Sequence, residues 1–252
     1  MATTKPFAGR VITITGAARG IGLATARYLA ERGATVCIAD VLKEDLTKAE
    51  ESIKKDFPDV HVTQAEVDVS NSKAVDEWIK SVKEKFGKID GCVNNAGIAG
   101  VLKPITELTD EEFSKVININ LIGIFNCLRA QLRVMEMGGS IVNTASIAGL
   151  MGFANFSPYI TSKHGIIGLT RTAAKEAGEK EIRVNAVCPG IIQTAMIDEI
   201  NETAPLTPQN SPQIVKRSGK PEEIAALVAY LLGDESKYTT GAAMVADGGW
   251  VC

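Results

Sequence analysis

Val11-Ile12-Thr13-Ile14-Thr15 leads straight into Gly16-Ala17-Ala18-Arg19-Gly20-Ile21-Gly22. The first five residues are all β-branched, which favours a strand. A glycine-rich turn follows, and Ile21–Arg32 then reads as a helix closed by Gly33. Glycines at a strand-to-helix turn let backbone N–H groups approach a pyrophosphate, and the helix N-terminus adds partial positive charge. The spacing is GxxxGxG. Tight packing of helix on strand would also call for glycines here, but the position between first strand and first helix favours the phosphate reading.

Outward from this unit the same alternation continues. Strand-like runs fall at Thr35–Ala39, Val60–Val67, Gly91–Val93, Ser140–Thr144, Arg183–Cys188 and Ala242–Ala246. Helical patterns fall between them, at Leu42–Asp56, Lys73–Phe86, a run from the capping box Thr109–Glu112 to about Met137, Phe156–Gly178 and Pro221–Leu232. Seven strands alternating with helices predict an α/β fold: a Rossmann-like, doubly wound, seven-stranded parallel sheet with helices on both faces. Residues 1–252 read as a single domain. Ala195–Ser218 breaks the rhythm with Pro205, Pro208 and Pro212 and reads as an irregular substrate lid.

Composition excludes several classes. Hydrophobic residues are 45% and charged residues 23%, an ordinary globular balance, so a packed core is expected. The net charge of −3 argues against a nucleic-acid partner, which needs a basic face. No apolar run approaches the ~18–20 residues of a membrane span, and Met1–Arg10 lacks a signal-peptide core. Cys252 is terminal and forms no prenylation box. A cytoplasmic address without membrane attachment is therefore expected. Five scattered cysteines without a CxxC pair predict no disulfide framework and no metal site, and Cys37, Cys92 and Cys188, each in an apolar strand-like run, read as small buried groups.

Candidate ligand residues collect at strand ends, the edge where open α/β sheets bind. Asp40 follows the glycines by about twenty residues, where an acid accepts hydrogen bonds from ribose hydroxyls and repels a 2′-phosphate. That favours NAD. Arg19, a base in the glycine turn, counts the other way. Asp68 and Val69 end the third strand; Asp68 suits either the adenine amine or a cap on the next helix. Asn94-Asn95-Ala96-Gly97 ends the fourth strand and suits close approach to a ribose, or an ordinary turn. Tyr159 and Lys163 are four apart, one turn on a common helix face. Ser146 reaches the same sheet edge. An ammonium beside a phenol should lower its pKa and suit it to acid–base work.

Taken together, the glycine turn, Asn94-Asn95-Ala96-Gly97, Asn120, Ser146, Tyr159-xxx-Lys163 and Pro189-Gly190 resemble the short-chain dehydrogenase/reductase family over essentially the whole chain. The resemblance implies a hydride transfer between NAD(H) and an alcohol or ketone. It makes Tyr159 the acid/base, and Lys163 its modulator and ribose ligand. Ser146 holds the substrate oxygen and Asn120 holds a relay water. Gly16, Arg19, Gly20, Ile21, Gly22, Asp40, Asp68, Val69, Asn94, Ala96, Gly97, Pro189, Gly190, Ile192 and Thr194 join Tyr159 and Lys163 as cofactor contacts. A homotetramer is the usual assembly. Two alternatives remain: an NADP-dependent carbonyl or 3-oxoacyl-carrier-protein reductase, and a non-catalytic dinucleotide-binding regulator. Enoyl reductases of this family space Tyr and Lys more widely.

The connector from Ser146 to Tyr159 carries Leu150, Met151, Phe153 and Phe156 and no charge. With Met196, Ile197 and Pro205-Leu206 from the lid, it predicts a mostly apolar pocket for a cyclic or aromatic alcohol or ketone.

Overall fold

The computed structural model describes residues 5–203, 205 and 207–252. Seven parallel strands form one sheet: β1 Val11–Thr15, β2 Thr35–Asp40, β3 Val62–Glu66, β4 Gly91–Asn94, β5 Ser140–Thr144, β6 Arg183–Pro189 and β7 Ala243–Ala246. Their order is β3-β2-β1-β4-β5-β6-β7. The chain thus winds outward from β1 to one side, then returns and winds to the other. The β1/β4 boundary is the point where direction reverses, and a crevice opens there beyond the strand ends.

The pleat explains how one sheet supports two cores. Successive residues of a strand face opposite sides. Cys37 and Ala39 face one core, Val36 and Ile38 the other; Ile141 and Val142 divide likewise. One core takes α3 Ser72–Phe86, α5 Gly123–Val134 and α6 Ser157–Glu176. The other takes α1 Gly20–Glu31, α2 Lys43–Asp56 and α8 Pro221–Leu232. Cys37, Cys92, Cys127 and Cys188 are buried as small apolar groups, and Cys252 is exposed. Among the described residues no helix is long and apolar enough to cross a membrane.

Three local expectations need correction. β3 stops at Glu66, so Asp68 lies just past the strand rather than on it. The long helix after Thr109 runs as expected to Val134 but is not α-helical throughout. The capping box forms and opens α4 Asp110–Val116, but a π-helical segment, Ile117–Ile122, intervenes before α5. Within the supposedly irregular lid lies a helix, α7 Ala195–Thr203. Its start is held by the Thr194 carbonyl, which accepts from Ile197 N and Asp198 N. Ile197 and Ile200 stand three apart on one face, the spacing of an apolar helix stripe. The prolines act only beyond it. Leu206 lies outside the described residues.

Candidate active site

A cavity of about 750 Å³ runs along the C-terminal strand ends, from Asp40 past the glycine turn to Ser146, Tyr159 and Trp250. The β1–α1 turn forms its floor. Gly16 has φ +64°, and a Cβ there would lie 2.7 Å from Ala96 Cα. Gly22 is not in the cavity wall; a Cβ on it would sit 2.1 Å from Gly16 O. Only hydrogen fits at either place, so glycine lets α1 close on the turn. The α1 N-terminus has no side-chain cap and no acid in its first turn. Backbone donors and helix dipole are thus directed at the cavity beside Gly20 and Ile21, a setting that suits a pyrophosphate.

Asp40 lines the cavity and braces the turn. Its Oδ2 accepts from Ala18 N at 3.0 Å and its Oδ1 from Leu42 N at 3.1 Å. Arg19 is also at the cavity, but its guanidinium pairs with Glu199 of α7 at 3.2 Å. Asp68 does not cap α3; Asn71 does, accepting from Lys73 N and Ala74 N. Asp68 turns on Ser70 instead, and it lines the cavity with Val69.

The Asn-Asn pair divides. Asn94 is 1% exposed and faces the core, where its amide bonds to Gln131 and Asn143. Its side chain therefore does not reach the cavity. The wall residue is Asn95, which the candidate set omits. It donates to Gly16 O at 3.0 Å and accepts from Thr144 Oγ1 at 3.3 Å, joining the glycine turn to β5. Ala96, Gly97, Pro189, Gly190, Ile192 and Thr194 all line the cavity.

At the far end, Ser146 begins a short 3₁₀ turn, Ile147–Gly149, and Tyr159 opens α6 one turn before Lys163. Lys163 is buried; its Nζ donates to the Thr144 carbonyl at 2.8 Å. Burial pushes the Tyr159 phenol up to about 12, and a hydrogen bond with Ser146 acts in the opposite direction. Burial brings Lys163 down to about 8, with Cys188 acting oppositely. The shift of the phenol is thus opposite to the expected one: burial raises it, and the group acting the other way is Ser146 rather than Lys163.

Asn120 is fully buried behind this wall, in the π-helical segment. Its Oδ1 accepts from Ile98 N at 2.8 Å, and its Nδ2 donates to Ile98 O at 2.9 Å and Ser162 Oγ at 3.2 Å. Its side chain is committed to those partners and does not border the cavity.

Apolar walls close the Tyr159 end: Leu102, Phe153, Phe156, Met196, Ile197 and Trp250. Leu150 instead faces solvent, and Met151 packs behind the wall, against the cluster of Ile147, Ile191 and Trp250 that lines the cavity. Pro205 is exposed and outside the wall. Trp250 escaped the sequence reading, since nothing in a C-terminal GGWVC signals a pocket residue.

A parallel sheet that reverses at a glycine turn, with a Ser–Tyr–Lys set at the same edge, defines a dinucleotide-dependent oxidoreductase. The comparisons place it more narrowly. A family profile described as "Enoyl-(Acyl carrier protein) reductase" matches residues 16–251. The short-chain dehydrogenase/reductase aba4 of Botryotinia fuckeliana is 46% identical, covering 99% of this chain and 100% of its own length. Levodione reductase of Leifsonia aquatica is 40% identical over 98% of this chain and 97% of its own. A crystal structure of levodione reductase superimposes with a TM-score of 0.91, covering 96% and 97% of the two chains. An NAD+-bound xylitol dehydrogenase matches with a TM-score of 0.88 at 36% identity, covering 96% and 99%. An NADP complex of a short-chain dehydrogenase from Burkholderia cenocepacia matches with 0.90 at 31%, covering 98% and 100%. The chain belongs to the short-chain dehydrogenase/reductase family, oxidoreductases that pass a hydride between a nicotinamide dinucleotide and an alcohol or ketone.

Proposed function

We propose that this protein is an NAD-dependent dehydrogenase/reductase of a small, mostly apolar secondary alcohol or ketone. The observation that carries the reading is the composition of the cavity's far end. Two hydroxyls, those of Ser146 and Tyr159, converge among apolar and aromatic side chains. Such a site orients one polar oxygen and leaves a charged substrate unpaired. The names of levodione reductase and of an Acinetobacter cyclohexanol dehydrogenase, 38% identical, accord with a cyclic substrate.

In this reading Ser146 holds the reacting oxygen by a hydrogen bond. Tyr159 takes the hydroxyl proton in oxidation and returns it in reduction. Lys163 reaches the nicotinamide ribose from its anchor on Thr144. Asn120 acts from behind, by fixing the Ile98 backbone and Ser162. A bound dinucleotide supplies the hydride acceptor or donor and, when oxidised, a positive charge that favours the phenolate. Gly16, Gly20, Ile21, Asp68, Val69, Ala96, Gly97, Pro189, Gly190, Ile192 and Thr194 line its path. α7 serves as the lid that excludes water.

Asp40 supports NAD, because a fixed carboxylate at the ribose repels a 2′-phosphate. The pairing of Arg19 with Glu199 supports it further, since that guanidinium is already engaged. An NADP-dependent reductase is the second reading, favoured by the position of Arg19 at the cavity. The family resemblance adds a cytoplasmic homotetramer, which light scattering of the purified protein would read as mass.

A spectrophotometric screen tests the proposal. NAD(H) and NADP(H) are followed at neutral pH with cyclic and aromatic ketones and alcohols, sugars, hydroxy acids and sugar phosphates. Cyclic apolar substrates with NAD(H) should give the highest kcat/KM. Turnover of a sugar phosphate alone would reject it.

A further inference from the structure

The C-terminal tail builds part of the pocket. After β7 the chain turns at Asp247, whose carboxylate accepts from Gly249 N at 2.8 Å and Val251 N at 2.9 Å. These two hydrogen bonds from the following backbone brace the turn at Trp250, which is 9% exposed and lines the cavity. The indole meets Phe153 edge to face, with ring centroids 5.7 Å apart and planes at 84°. It packs with Ile147 and Ile191 in a small cluster separate from the two sheet cores, joined by Ile197 of α7. The Gly248 carbonyl accepts from Ile214 N and Val215 N, so the tail is also tied to the segment beyond α7.

Four parts of the chain thus meet at one wall: the connector after β5, the end of β6, α7 and the tail. An edge-to-face aromatic pair held by backbone hydrogen bonds is a stiff wall. Nearer the chemistry, Phe156 stacks on Tyr159 at 4.5 Å and 14°. In the functional reading the same cavity of about 750 Å³ serves dinucleotide and substrate together, so each wall residue at the Tyr159 end bears on substrate size.

We propose that Trp250 is a specificity-determining residue whose indole, braced by Phe153 and the Asp247 turn, walls the substrate end of the cavity and favours monocyclic over fused bicyclic alcohols and ketones. The inference rests on the functional reading above.

The test measures kcat and KM with NADH for cyclohexanone, a methyl-substituted cyclohexanone, tetralone and decalone. The proteins are the unaltered chain, Trp250→Phe and Trp250→Ala. Trp250→Ala should raise the bicyclic-to-monocyclic ratio of kcat/KM by roughly tenfold or more, the scale set by a few methylenes in an apolar pocket. The change should fall mainly in KM, and Trp250→Phe should lie between. NADH affinity, read by fluorescence titration, should stay within about threefold in each variant. An unmoved ratio in a folded, NADH-binding variant would overturn the role of Trp250 alone. If Trp250→Ala does not fold, Trp250→Phe carries the same test, because it keeps a ring against Phe153. If the unaltered protein reduces none of these ketones, the functional reading itself fails and this inference with it.

Discussion

Lys163 Nζ stands 5.3 Å from the centroid of the Tyr159 ring while donating to the Thr144 carbonyl at 2.8 Å. The lysine is thus anchored to the end of β5, in a place where burial costs its charge. Its pKa falls from 10.5 to about 8 in the folded protein. Below about pH 8 both folded and unfolded chains hold the proton, and the buried charge weighs fully against the fold. Between about 8 and 10.5 the unfolded chain holds a proton that the folded chain has lost, so this group's contribution rises with pH. Relative to Lys163→Met, the unaltered protein should gain stability from pH 7.5 to 9.5, by up to about 1.4 kcal/mol per pH unit. Urea unfolding of both proteins across that range checks it. A constant difference would mean that Lys163 keeps its ordinary pKa. The raised phenol of Tyr159 acts only above about pH 10, with opposite sign, and is common to both proteins.

Replacing Tyr159 by Phe keeps the ring that stacks on Phe156 and removes only the hydroxyl. Turnover should fall by roughly 10²–10⁴-fold if the phenol is the acid/base. Dinucleotide affinity should change little. Single-turnover measurements with NADH and a ketone separate the two. A variant with near wild-type turnover from pH 6 to 9 would remove Tyr159 from the chemistry.

Asp40 both lines the cavity and holds Ala18 N. Asp40→Asn preserves an acceptor for the turn while removing the charge. It should therefore narrow the preference of kcat/KM for NAD over NADP with a small change in Tm. Asp40→Ala should narrow it too and also lower Tm, because the Ala18 amide loses its partner. If the unaltered protein favours NADP, Asp40 does not select the cofactor.

Asn120→Ala would strip both the N–H and C=O of Ile98 of their partner, along with one bond to Ser162. Each buried polar group left without a partner costs about 1–3 kcal/mol. We expect a Tm loss of several degrees and reduced turnover together. Asn120→Asp restores an acceptor for Ile98 N but loses the donor to Ile98 O, and should recover only part of the stability. A variant of unchanged Tm would show that Asn120 does not hold this loop.

Much of this organisation is local and therefore readable in the chain. β1 and β5 have the bounds expected from their apolar runs, and the Thr109–Glu112 capping box forms as its spacing requires. The π-helical stretch at Ile117–Ile122 is not legible in the chain, since its Asn120 finds its partner at Ile98, 22 residues away. The helix inside the lid was masked by three prolines that follow it. Asn94 and Asn95 differ by one step, and the pleat of β4 sends the first into the core and leaves the second at the cavity.

By itself the sequence determined the alternation of strand and helix, the glycine turn between the first strand and first helix, and a Tyr159–Lys163 pair one turn apart. Those features are periodic or adjacent, and backbone geometry alone brings them out. Tertiary structure decided the rest. It buried Tyr159 and Lys163 deeply enough to reverse the expected phenol shift. It gave Arg19 to Glu199, and it carried Trp250 from the end of the chain to the wall beside Phe153. Desolvation and contact between distant segments depend on how the whole chain packs, and no local spacing of residues encodes them.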